Sequence, residues 1–329
     1  MKKFLIFIIM IAPLIFGCNK ENGSNKIVEI VIFSPMDHKS LSSEIAGFKE
    51  GLNDYNWKDG DKINFIELNA DGNWNDIGQI LETAYSNKPD LVFVVTTPAA
   101  QIAAELCRKY NVPTIYGAVT DPVESDIVES LESSEIPITG VTDRYPTRKQ
   151  CDFFSSFFKN PQEEKAIVLY TTLEKNSQIL SEETEKFMND LGISTKRVEI
   201  EDINNLENRI ETLIQDYSIV IVNGDNTIIE KISIVSDICR KYKIPLFAGD
   251  PLSIEAGAVG ALGPDYFLMG KFASEKANRI LLGEFAGDIS SSGPDKFIKV
   301  INTRISKEIN FHIPVDVWLN SSEWQSYTE

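Results

Sequence analysis

Cys107-Arg-Lys-Tyr-Asn-Val-Pro-Thr-Ile-Tyr-Gly117 and Cys239-Arg-Lys-Tyr-Lys-Ile-Pro-Leu-Phe-Ala-Gly249 are two copies of one unit. Upstream of each lies an apolar run of strand length, Leu91 to Val95 and Ile219 to Val222, then a short polar loop and a helical stretch. Downstream lies a second apolar run. The Arg-Lys pair sits where cations suit the negative end of a helix, and the proline starts the strand that comes next. Because the strands are continuously apolar rather than alternating, they predict a parallel sheet buried on both faces. Two such strand-helix-strand units this far apart predict two similar α/β lobes rather than one long sheet.

The flanking sequence fits that scheme. Further strands are expected at Ile27 to Phe33, Ile63 to Leu68, Ala166 to Tyr170 and Arg197 to Ile200. Helices are expected at Leu41 to Asn53, Asp76 to Ser86, Lys149 to Phe158, Ser181 to Leu191, Leu206 to Asp216 and Tyr266 to Leu282, the last stopping at Gly283. Segments around Phe297 to Ile301 and Val315 to Trp318 carry weaker periodicity.

The N-terminus reads Met1-Lys2-Lys3, an apolar run from Phe4 to Phe16, then Gly17-Cys18 and a polar stretch. This is the pattern of a cleaved bacterial leader, residues 1–17. The apolar run is about 13 residues, short of the roughly 20 a spanning helix needs. Ile15-Phe16-Gly17-Cys18 resembles a lipobox, which makes Cys18 the expected lipidation site, with residues 18–26 as a tether. About 310 residues then remain, too many for one ordinary core and suited to two.

The chain has 32 basic and 49 acidic residues and a formal charge of −17, which argues against a nucleic-acid partner. Beyond Cys18, the cysteines Cys107, Cys151 and Cys239 form no CxxC pair. They predict small core residues, not a disulfide framework.

In an open parallel sheet, ligands bind beyond the carboxyl ends of the strands. After Val95 comes Thr96-Thr97-Pro98, a hydroxyl residue at a helix start with proline in the first turn, whose free amides favour an anion such as a carboxylate. The matching loop of the second copy is Asn223-Gly224-Asp225-Asn226-Thr227. The strands after the repeat helices end at Thr120-Asp121 and Gly249-Asp250. Other polar strand ends are Asp37-His38, Thr142-Asp143 and Asn176-Ser177. A helix N-terminus for a carboxylate and Asp225 or Asp250 for an ammonium would suit a zwitterion, because each buried charge needs a partner.

Thr97-Pro98-Ala99-Ala100-Gln101, Ala118 through Val123, Gly140-Val141-Thr142-Asp143, Asp225-Asn226-Thr227 and Gly257-Ala258 through Gly263 before Asp265-Tyr266 together resemble the ABC transporter substrate-binding family that includes tryptophan and tyrosine binders. The resemblance covers nearly the whole chain beyond the tether. It implies a type I periplasmic-binding-protein fold: two Rossmann-like lobes with parallel sheets, joined by three crossings near Thr142, Asp250 and Ile289. The first lobe would take residues 27–141 plus 251–286 and the second 145–248 plus 290–329.

It also implies ligand positions at Thr96, Thr97, Thr142, Asp143, Asn176, Ser177, Asp225, Asn226, Thr227 and Asp250, with Asp37 and His38 near the mouth. Lys39, Arg144 and Tyr145 depart from the family pattern. Trp74, Tyr116, Tyr145 and Tyr170 are the aromatic residues placed to stack on a ring or to pack as rim and core.

The resemblance and the leader together imply a monomeric, extracytoplasmic lipoprotein that hands a small solute, an amino acid with aromatic ones favoured, to an ABC permease and ATPase by closing its lobes. Other solutes for the same cleft are a nucleoside, a sugar or a peptide. A ligand sensor that signals to a membrane receptor is the other reading of the same fold. His38 and His312 are the only histidines, and there is no GxSxG, HExxH or Cys-His motif, so no enzyme is expected. Gly257, Gly260 and Gly263 have GxxGxxG spacing and are read as turn and packing glycines, not a nucleotide loop. No residue spacing calls for a metal or cofactor.

Overall fold

The structure is a computed structural model that describes residues 27–294 and 296–324. The leader, Cys18 and the tether lie outside the described residues. Two sheets organise the chain. The first has the order β2-β1-β3-β4-β5, formed by β1 (Val28–Ser34), β2 (Ile63–Asn69), β3 (Leu91–Val95), β4 (Thr114–Val119) and β5 (Ile138–Thr142). All its pairings are parallel. The second contains β6 (Lys165–Tyr170), β7 (Ser194–Glu199), β8 (Ile219–Val222), β9 (Leu246–Ala248), β10 (Gly260–Pro264), β11 (Phe297–Ile301) and β12 (Ser322–Glu323). Its order is β12-β11-β10-β9-β8-β6-β7. It is parallel except where β11 runs antiparallel to β10, a strand added on the return crossing.

The helices are α1 (Lys39–Asp54), α2 (Ile77–Ser86), α3 (Thr97–Tyr110), α4 (Thr147–Ser155), α5 (Lys175–Asp190), α6 (Leu206–Leu213), α7 (Asn226–Glu230), α8 (Ile232–Tyr242), α9 (Ser253–Ala256), α10 (Tyr266–Leu281), α11 (Thr303–Glu308) and α12 (Val315–Leu319). Each sheet is covered on both faces, giving two apolar clusters per lobe, as continuously apolar strands require.

The repeat behaves as the sequence predicts. β3-α3-β4 and β8-(α7,α8)-β9 are the same unit, and both long helices stop in the left-handed region, at Asn111 (φ 54°) and Lys243 (φ 57°). The second copy differs by a break at Lys231, which splits its helix into α7 and α8. Cys107, Cys151 and Cys239 are free and buried, one in each of three apolar clusters. Burial pushes the Cys107 and Cys151 thiols up to about 12, so they behave as core groups.

The chain passes from the first sheet to the second after Thr142 and back after Pro264. It returns to the second beyond Ser292, which bridges to Val141. The middle crossing corrects the expectation. The resemblance implies a crossing near Asp250, with residues 251–286 in the first lobe, but α9 and β10 stay with the second sheet, where β10 pairs with β9. Gly263 makes this close return feasible: a Cβ there would stand 2.0 Å from the Gly249 carbonyl oxygen and 2.8 Å from Pro251 Cδ. Only from Tyr266 onward does the chain rejoin the first lobe, where Met269, Ala273 and Ala277 of α10 pack with Leu41, Phe48 and Leu52 of α1.

Candidate functional site

The strand tips of both sheets face one another. His38, ahead of α1, places Nε2 3.1 Å from Asn226 Oδ1 at the start of α7, and Lys39 pairs with Glu255 of α9. Both contacts join the two lobes. A third junction is buried in the hinge: Tyr266 OH donates to Asp143 Oδ2 at 3.0 Å, Thr120 Oγ1 donates to Asp143 Oδ1 at 3.0 Å, and the Tyr145 and Tyr266 hydroxyls are 2.6 Å apart. The Tyr145 ring lies against two second-lobe turns, since a Cβ at Gly249 would come within 2.9 Å of it and one at Gly224 within 3.4 Å. Burial raises Asp143 to about 6, although both hydroxyls and Arg144 oppose the shift.

On the first lobe, β3 ends at Val95 and is followed by Thr96, whose φ of 84° is rare for a β-branched residue. Its amide donates to the Gly117 carbonyl at 3.0 Å. The Thr96 and Thr97 hydroxyls are fully buried and have no partner among the described residues. They stand at the start of α3, where the first-turn amides also lack helical partners. Strained backbone and unpartnered hydroxyls at a helix N-terminus make a surface complementary to an anion.

On the second lobe the acids are already engaged. Asp225 Oδ2 accepts from the Thr171 amide at 2.6 Å, Thr171 Oγ1 at 2.9 Å and Ser177 Oγ at 2.6 Å, while Oδ1 caps α7 by accepting from the Ile228 amide at 2.8 Å. Glu174 Oε1 accepts from the Thr227 amide and hydroxyl, both at 2.9 Å, and Oε2 from Asn226 Nδ2 at 2.6 Å. Burial, followed by the neighbouring Asp225, raises Glu174 to about 7. Burial also raises Asp225, against the pull of its donors. Asn176 donates to the Gly224 carbonyl at 2.7 Å, leaving its own Oδ1 buried and unpartnered.

Asp250 differs from Asp225. Its Oδ1 accepts from the Leu252 amide at 3.1 Å, and its Oδ2 has a long contact of 3.4 Å from Ser253 Oγ. Burial raises it, with His38 and then Ser40 opposing; burial likewise lowers His38, with Asp250 as the largest opposing influence. Asp250, His38, Asp37, Ile229, Glu230 and Leu252 line a cavity of ≈ 270 Å³ at the mouth.

The sequence-predicted positions differ in how far they are already engaged. Thr96, Thr97, Asn176 and Asp250 keep free capacity. Asp225, Ser177, Asn226 and Thr227 are held in second-lobe networks. Thr142 is buried at the first crossing, its amide donating to Ser292 O at 2.7 Å. Asp37 is exposed and accepts from Ser42 Oγ at 2.6 Å.

Of the aromatic residues, Tyr145 is the one at the lobe junction. Tyr116 is buried in the first core and Trp74 packs half-buried against it, whereas Tyr170 carries the Arg197 guanidinium 4.3 Å over its ring. Glu44, Glu174 and Tyr266 were missed, because each sits in a stretch that reads as ordinary helix or loop and nothing in its spacing marks it. Among the described residues there is no group of His, Cys, Asp and Glu that would hold a metal ion, and no helix long and apolar enough to cross a membrane.

Two α/β lobes, joined at a hinge and meeting at their strand tips, define a bilobal solute-binding protein of the type I periplasmic class. A family model described as ABC transporter substrate binding protein matches residues 29–324, and the chain belongs to this family, which is one of solute binders rather than enzymes. It is 30% identical over 292 residues to a tyrosine-binding protein of Clostridioides difficile, a match covering 89% of this chain and 84% of the relative. Among solved structures, an ABC domain from Streptococcus pneumonia in complex with L-Trp superposes with TM-score 0.85 at 23% identity, covering 90% and 99% of the two chains. A ligand-free, open substrate-binding protein with adhesive properties from Clostridium difficile gives 0.68 at 26% identity, covering 91% and 99%.

Proposed function

We propose that this protein is the extracytoplasmic, lipid-anchored receptor of an ABC importer and captures an amino acid between its lobes. The observation that supports this reading is that the two lobes offer unlike free capacities. The first lobe offers the Thr96 and Thr97 hydroxyls at the start of α3, while the second offers Asp250 with one carboxyl oxygen nearly free. A zwitterion satisfies both at once: its carboxylate faces hydroxyls and amides, and its ammonium faces the acid. An aromatic side chain is favoured by the names of the tyrosine-binding relative and of the L-Trp complex. The cross-lobe contacts at His38, Lys39 and Tyr145 support hinge closure as the capture step, in which a ligand touching both lobes holds them together.

The test is native mass spectrometry of the purified chain without its leader, then calorimetric titration of the amino acid whose mass is found. Asp250→Ala should weaken that binding by about 2–5 kcal/mol, the usual cost of leaving a buried ammonium unpaired. Undiminished affinity in this variant, or the absence of any amino-acid ligand from both experiments, would sink the reading.

A further inference from the structure

Glu44 is fully buried on α1, and among the described residues neither of its carboxyl oxygens has a side-chain partner or a well-formed hydrogen bond, the Ala118 backbone being the donor beside it. Its place is defined by a neighbour without a side chain: a Cβ at Gly117 would stand 2.3 Å from Glu44 Oε1 and 3.0 Å from the Phe93 ring. The carboxyl therefore lies beside the carboxyl end of β4. There the register to β5 slips between Tyr116 and Val119, and Ala118 adopts φ 48°. Thr96, the other strained residue, is bonded to the same Gly117 carbonyl. An acid, two strained residues and the two unpartnered threonine hydroxyls thus share the tips of two adjacent strands.

Packing alone does not account for this arrangement. A buried carboxyl with no partner beyond one backbone donor destabilises the fold, and an apolar side chain of the same volume would fill the space beside Gly117 at less cost. Asp250 is the acid with free capacity on the opposite lobe, so a ligand's ammonium already has a partner there. We infer that Glu44 is a specificity residue of the cleft, which bonds a second donor group carried on the ligand's side chain, a hydroxyl, a ring N–H or an amine. This rests on the amino-acid reading and narrows it to amino acids with a donor at the far end. Burial, and secondarily Asp143, pushes the Glu44 carboxyl well up, with a hydrogen bond from the Ala118 backbone opposing, and a carboxyl in its neutral form both donates to and accepts from a hydroxyl.

Calorimetry with matched pairs tests the inference: L-tyrosine against L-phenylalanine, L-tryptophan against 1-methyl-L-tryptophan, and L-lysine against L-norleucine. In the wild-type chain the donor-bearing member of one pair should bind at least about tenfold more tightly, since a site built around a hydrogen bond rejects the analogue that lacks it. Glu44→Met should bring that pair within about threefold while still binding the apolar member, and its ligand-free unfolding temperature should equal or exceed that of wild type. No donor preference in wild type, or a preference that survives in Glu44→Met, overturns the inference while leaving the amino-acid reading intact. A lowered unfolding temperature with the preference retained would assign Glu44 to packing. Failure of all six compounds to bind wild type would overturn this inference, while the amino-acid reading would still stand or fall on the ligand found by mass spectrometry.

Discussion

Asp225→Ala should cost stability, whereas loss of Asp250, the less engaged acid at the cleft, should not. Four hydrogen bonds converge on the Asp225 carboxylate, two from backbone amides that the second lobe has folded inward, those of Thr171 and Ile228. Removing the acceptor strands both amides, and each buried unsatisfied donor costs about 1–3 kcal/mol. The Thr171 and Ser177 hydroxyls can turn elsewhere, and release of a buried charge offsets part of the loss. A net destabilisation of about 3 kcal/mol is therefore expected, near the lower end for breaking a buried charged network. At roughly 2–4 °C per kcal/mol for a protein of this size, the unfolding temperature should fall by about 6–12 °C. Calorimetric scans of protein freed of ligand by unfolding and refolding will read this without a binding contribution. Asp250 has fewer and longer bonds, so Asp250→Ala should shift the same scan by no more than about 1 kcal/mol. An Asp225→Ala protein that unfolds within about 2 °C of wild type would count decisively against this account, because the network would then be a contact list without energetic weight.

Two further outcomes concern the hinge. Asp143 is held at about 6, above its ordinary 3.8, so the fold binds its proton more tightly than the unfolded chain does. Its contribution is thus present below about pH 4 and is lost as pH rises to about 6, a change of about 3 kcal/mol. The difference in unfolding temperature between Asp143→Asn and wild type should drift in favour of the variant across that range and level off above it, and a constant difference would show that Asp143 does not titrate there. Tyr266→Phe removes the donor to Asp143 and the partner of Tyr145 and should lower stability by about 2 kcal/mol in urea titrations; an unchanged midpoint would mean that this hydroxyl contributes nothing to the junction.

Much of the architecture could be read from the chain because it depends on short-range patterns. The Cys-Arg-Lys-Tyr repeat specified two parallel strand-helix-strand units, and β3 and β8 fall where their apolar runs do, at Leu91–Val95 and Ile219–Val222. The polar residues at the strand tips were legible for the same reason, since a parallel sheet puts all its carboxyl ends on one side. The misplaced middle crossing shows the limit. Asp250-Pro251 looks like the end of a lobe, yet the decision lay with Gly263, which lets β10 lie against the Gly249 carbonyl.

Local pattern along the chain therefore sets the elements and the edge at which their polar ends emerge. Which acid is spent and which is free was settled by folding alone. Asp225 is saturated by Thr171 and Ser177, some fifty residues away, while Glu44, which reads as one more polar residue of a helix, is shut in beside Gly117 without a side-chain partner. A carboxylate's state depends on the donors within about 3 Å of it, and those donors come from segments distant in the chain that meet only in the folded protein.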